Sequence, residues 1–158
     1  MRKSLFYLIL VSFLLTPFNV LCKDLPDYEI EGAGIGAQGV YLVSITIITK
    51  NKNVSDRELE TAAVHGVLFR GFSDPKGRSH QKPLAGSPAN EAEHIDFYKE
   101  FFGDKGTAHT YASTINGSRS ILKSGKAYKV SVKATVRKED LYNYLSGMGI
   151  IKGLNSIF

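Results

Sequence analysis

Four histidines, His65, His80, His94 and His109, supply the imidazoles that this 158-residue sequence could use as ligands or proton carriers. No two of them stand at a metal-ligand spacing. Glu91-x-x-His94 resembles half of a di-metal carboxylate site, but such a site needs a second copy and none follows. No Gly-x-Ser-x-Gly elbow sets a serine against a histidine. A hydrolase would have to be assembled by the fold from His65, Glu93, His94 or His109. His65 lies between the apolar stripe and the edge of its helix, which reads as a packed histidine. Gly34-Ile35-Gly36-Ala37-Gln38-Gly39 is a literal G-x-G-x-x-G. A dinucleotide site needs that motif to follow a strand and open a helix, whose N-terminus holds the pyrophosphate. Here a strand follows, so the segment reads as a flexible hairpin turn. The sequence predicts neither a cofactor nor a metal.

The cations suggest binding. Arg70, Lys76, Arg78, His80 and Lys82 crowd one long loop with only Asp74 in opposition. Long loops in compact domains are often functional or disordered. Lys129, Lys133 and Arg137 form an outward row on one strand, with Arg119 and Lys123 placed to join them. One reading is a solvated face that resists aggregation. The sharper one is a surface for a polysaccharide, a lipid head group or an acidic protein. Its candidate residues are Arg70, Arg78, His80, Lys82, Lys129, Lys133 and Arg137. The formal net charge is +5. That mild excess gives no support for nucleic acid as a partner.

The elements that must position these residues are legible from periodicity. Tyr28 to Gly32 alternates, and Val40 to Thr49 places Tyr41, Val43, Ile45 and Ile47 on one face of a strand. Ser55-Asp56-Arg57-Glu58 is a capping box, with Val54 and Leu59 as its hydrophobic staple. The helix it opens carries a stripe of small residues and should sit close to a sheet. A second helix is predicted from Asn90, with Glu93 three residues on, and an apolar face of Ile95, Tyr98, Phe101 and Phe102. Asn116-Gly117 predicts a hairpin between Thr110–Ile115 and Ser118–Leu122. Lys126 to Arg137 alternates, with Tyr128, Val130, Val132, Ala134 and Val136 inward. A third helix follows, lined by Leu141, Tyr144, Leu145 and Met148. The tail Ile150, Ile151, Leu154, Ile157 and Phe158 is expected to dock on the core. The order ββααβββα predicts a two-layer α+β domain, an antiparallel sheet of about five strands with helices on one face.

The N-terminus reads as a secretory leader. Arg2 and Lys3 precede an apolar run from Leu5 to Leu15, broken only by Ser12 and followed by Pro17. A membrane anchor is the rival reading, but Pro17 divides the run and no positive stop-transfer cluster follows. Cys22 is the sole cysteine. A lipoprotein site usually has a small residue before the cysteine, and Leu21 stands there. Cleavage after Cys22 fits better, giving a signal peptide of residues 1–22 and one exported domain of residues 23–158. That domain would lack cysteine, and with it disulfides and thiolate chemistry. It would have no transmembrane span.

Ala62-Ala63-Val64-His65-Gly66-Val67-Leu68-Phe69-Arg70-Gly71-Phe72 and Gly149-Ile150-Ile151-Lys152-Gly153-Leu154-Asn155 resemble a group of small exported proteins of Bacteroidetes. The resemblance implies an envelope location and lends no activity. The element order is also similar to envelope-assembly domains of the LPP20 and FlgT N-terminal type, which implies work beside appendage or outer-membrane machinery. The expectation is an accessory domain in the periplasm or at the cell surface. It would bind another envelope protein or an anionic envelope polymer without performing chemistry. The small envelope hydrolase described above is the alternative.

Overall fold

The computed structural model describes residues 25–77, 79–87 and 89–152. The leader and the tail residues Leu154, Ile157 and Phe158 lie outside them. The chain forms β1 (Tyr28–Gly32), β2 (Val40–Thr49), α1 (Asp56–His65), a π-helical turn (Gly66–Arg70), β3 (Phe72–Ser73) and β4 (His80–Gln81). Then come α2 (Ala89–Glu93), α3 (Ile95–Phe102), a 3-10 turn (Ala108–Tyr111), β5 (Ala112–Thr114), β6 (Ser120–Ser124), β7 (Ala127–Arg137) and α4 (Lys138–Gly147). The result is the two-layer α+β fold expected from the pattern. Its antiparallel sheet runs β1-β2-β7-β5, with β6 also paired to β7. β3 and β4 form a separate two-stranded ribbon inside the long loop.

Alternation sets which sheet face is covered. Val43, Ile45 and Ile47 of β2 and Val130, Val132, Ala134 and Val136 of β7 are buried against the helices. Leu59, Ala62, Ala63 and Val64 answer them from α1. Each large aliphatic side chain so buried contributes about 1.5–3 kcal/mol. The capping box forms in full: Glu58 N–H donates to Ser55 Oγ at 3.2 Å, and Ser55 N–H donates to Glu58 Oε2 at 2.8 Å. At Gly66 the helix widens to a π turn. Val67 and Leu68 then accept 3.0 Å bonds from the N–H groups of Leu84 and Ala85, which ties the long loop to the core.

Three local expectations are corrected. Asn116-Gly117 does not close a hairpin. β5 and β6 pair with the same edge of β7, β5 with Ala134–Val136 and β6 with Ala127–Ser131. Gly117, at φ 77°, makes the turn, with Ser118 N–H donating to Ile115 O at 3.1 Å. Ser118 Oγ then accepts Lys133 N–H at 3.0 Å, standing in for a backbone carbonyl. The chain bulges out and rejoins the same line.

The second helix is two helices. It starts at Ala89 and breaks at His94, whose ψ of 36° is not helical. Asn90 does not cap it, because its side chain is engaged elsewhere: Nδ2 donates to Ile150 O and Oδ1 accepts from the Tyr98 hydroxyl, both at 2.7 Å. Met148 does not line the core and is 55% exposed, because it lies beyond the end of α4 at Gly147. Ile150 and Ile151 do dock, and both are buried.

Candidate functional site

Among the described residues, no element covers the sheet face away from the helices. Lys133 lies at its centre, between Ser131 and Thr135 along β7 and opposite Ser44 of β2. Ser113 of β5 stands across from Thr135, and Ser120 of β6 across from Ser131. Thr46 Oγ1 and Ser131 Oγ are 2.8 Å apart. Strand alternation brings these hydroxyls together, because residues two apart share a face. Lys133, Ser113 and Ser120 are exposed, and Ser44, Thr46, Ser131 and Thr135 are half-buried. Glu29 and Glu31 of β1 border this surface, so it is mixed in charge.

The predicted cations differ in what they are free to do. Lys133 has no ion pair among the described residues. Lys129 Nζ lies 3.9 Å from Glu29 Oε1. Arg137 is committed, donating to Asp140 Oδ2 at 2.8 Å and to Thr110 O at 2.6 Å. Arg119 is committed as well, to Val54 O and Asp56 Oδ1. The loop cations form a second, separate group beyond β1. Arg70 donates to Tyr28 O at 2.7 Å and lies 3.9 Å above the Tyr28 ring. His80 Nδ1 is 3.0 Å from Ser73 Oγ, and Lys82 is exposed. Arg78 lies outside the described residues. β1 and β2 separate this group from the β7 row, so the described candidates do not make one continuous patch.

The histidines do not converge either. His65 Nδ1 is 2.5 Å from the Tyr28 hydroxyl, and its Nε2 is 3.2 Å from Glu91 Oε1. Its ring also packs edge-on against Phe69 and Phe102. Burial lowers its pKa below the ordinary imidazole value, against the opposing pull of Glu91. Burial likewise raises the Tyr28 phenol, which stays protonated. The arrangement fits a neutral imidazole that accepts from Tyr28 and donates to Glu91. Sequence reading missed this triad, since its members are 37 and 26 residues apart and share no motif. Glu93 and His94 line a different cleft of about 680 Å³, floored by Leu84, Ala85, Ile150 and Ile151. Tyr28, His65 and Glu91 do not line it. His109 sits on the 3-10 turn. Among the described residues, no three His, Cys, Asp or Glu side chains are grouped to hold a metal ion. No helix among them is long and apolar enough to cross a membrane.

Comparison with protein-family models, curated proteins and solved structures found no match to this chain.

Proposed function

We propose that this is an exported accessory domain that binds another envelope component without performing chemistry. The observation that carries this reading is the uncovered sheet face, where Lys133 stands among aligned hydroxyls. Hydroxyls offer both donors and acceptors to a polymer, and one ammonium favours a partner carrying carboxylate or phosphate groups. An anionic envelope polysaccharide or lipid head group fits that chemistry, and so does an acidic patch on an envelope protein. The leader-like N-terminus and the resemblance to exported proteins of Bacteroidetes support the location. The histidines are dispersed among the described residues: His65 is bonded to Tyr28 and Glu91, His94 lines a separate cleft with Glu93, and His109 sits on the 3-10 turn.

The test is binding of the purified protein to vesicles of acidic phospholipid and to a uronic-acid polysaccharide. Lys129→Glu combined with Lys133→Glu should abolish capture while circular dichroism stays unchanged. Glu93→Ala, His94→Ala and His109→Ala should leave capture intact. Hydrolysis of an envelope substrate, lost on one of those three substitutions or on His65→Ala in a folded protein, would overturn the reading in favour of a hydrolase.

A further inference from the structure

The sheet has three edge segments, and two of them are guarded. At β1 the Tyr28 carbonyl accepts from Arg70, and the ribbon comes up against Gly32, where an added Cβ would meet Ser73 O at 3.4 Å. At β5 the Thr114 N–H donates to Glu60 Oε1 at 3.1 Å. Among the described residues β6 has no such cover. All five of its residues are exposed, and among the described residues its backbone bonds only to β7. Ile121 and Leu122, adjacent on this strand, are 46% and 62% exposed. Folded proteins commonly protect such an edge with proline, a bulge, charge or a covering element. Here only Lys123 is charged, and no proline is present.

We propose that β6 pairs antiparallel with β6 of a second copy across a two-fold axis at Leu122, joining the two sheets into one. The hydrogen-bond phase permits this. Ser124 and Ala127 close a two-residue turn, so they form a bonded pair, and Leu122 and Ser120 bond to β7 in the same phase. Ile121 and Lys123 therefore aim their N–H and C=O groups outward. Antiparallel self-pairing must match outward groups with outward groups, so the axis falls on Ile121, Leu122 or Lys123. Charge selects among these. An axis at Ile121 sets Arg119 against Lys123 of the other copy, and an axis at Lys123 sets the two lysines against each other. An axis at Leu122 pairs Ile121 with Lys123 and leucine with leucine, with no like charges opposed. A single short strand buries less than a standard interface, so the dimer is weak and concentration-dependent. It is independent of the polymer-binding reading, and it would bring the open faces of two copies side by side.

The experiment is sedimentation of the protein up to millimolar concentration, with Cys22→Ser wherever the leader is retained. A reversible monomer–dimer equilibrium is expected. Ile121→Pro should remove it, because that N–H points away from β7 and its loss leaves the β6–β7 ladder intact. Leu122→Cys should form an intermolecular disulfide under mild oxidation at least tenfold faster than Ile121→Cys, because only position 122 faces its own copy across the axis. A protein monomeric at all concentrations, a dimer untouched by Ile121→Pro in a folded variant, or equal crosslinking at 121 and 122 would each overturn the proposal. So would a β6 that captures only a foreign strand.

Discussion

The Tyr28 hydroxyl lies 2.5 Å from His65 Nδ1, and through that bond the first strand holds the end of the first helix. Glu91 completes the link from α2 at 3.2 Å. Three elements distant in sequence thus meet on one neutral imidazole. Two-sided bonding of this kind fixes the tautomer and the orientation of the ring.

That geometry predicts a pH dependence of stability. Burial holds the folded-state pKa of His65 below the ordinary imidazole value, which is about 6.5. The unfolded chain therefore binds more protons than the folded one once pH falls through about 6.5. The stability contributed by the neutral ring is complete above that value and declines below it. His65→Gln should lower stability by about 1–3 kcal/mol near neutral pH, since the Tyr28 hydroxyl and Glu91 lose their designed partner. It should also flatten the fall between pH 7 and pH 5. Urea melts of both proteins across that range check this, and parallel curves would contradict it.

Ser55→Ala should destabilise the domain by about 0.5–2 kcal/mol. The side chain accepts Glu58 N–H at 3.2 Å and donates to Glu58 Oε2 at 2.7 Å, so the substitution removes both hydroxyl bonds and leaves only the bond from the Ser55 backbone N–H to Glu58. Ser55→Asp should recover only part of the loss, because its carboxylate still accepts from the first turn and suits the positive end of the helix but opposes the Glu58 carboxylate that the hydroxyl donates to. Chemical denaturation measures both variants.

The capping box was legible because its two residues lie within one turn of each other. The β2 and β7 faces were legible for a similar reason, since alternation is a local signal. Asn116-Gly117 misled because the dipeptide specifies a turn and not the direction of the chain after it. That direction is set by Ser118 Oγ, which bonds to Lys133 fifteen residues away. The Tyr28–His65–Glu91 triad was invisible because each partner sits on a different element. The lysine row was legible as a row. Its inequality was not: the engagement of Arg137 by Asp140 and Thr110 depends on how α4 and the 3-10 turn pack.

Gly66→Ala should cost about 1–3 kcal/mol through overpacking. A Cβ there would lie 2.7 Å from Ile30 Cδ1 and 3.2 Å from Tyr28 Cε2. Alanine gains about 1 kcal/mol of helix propensity over glycine, which is too little to offset that clash. Because the nearest atom is a terminal methyl, adding Ile30→Val should restore part of the loss. The double-mutant cycle therefore predicts positive coupling between positions 30 and 66. Additive losses in thermal denaturation would show that the helix shifts away from β1 as a body.

The cations of the β7 row should not contribute equally to capture of an anionic partner. Lys133 is exposed and has no ion pair among the described residues, so Lys133→Glu reverses a charge that faces solvent directly. Lys129 shares its charge with Glu29 at 3.9 Å. Lys129→Glu should therefore have a smaller effect on binding. Arg137 donates to Asp140 and Thr110, so its guanidinium is already committed. Arg137→Glu should change capture least and stability most, because it places a carboxylate against Asp140 at the start of α4. The order of lost binding is thus Lys133, then Lys129, then Arg137, with the order of lost stability led by Arg137. Binding to acidic vesicles should also weaken with salt in the wild type, and less steeply in Lys133→Glu, since screening acts on exposed charge over about 8–10 Å. Equal losses at all three positions would mean that the partner reads the net charge of the domain and not the centre of the open face.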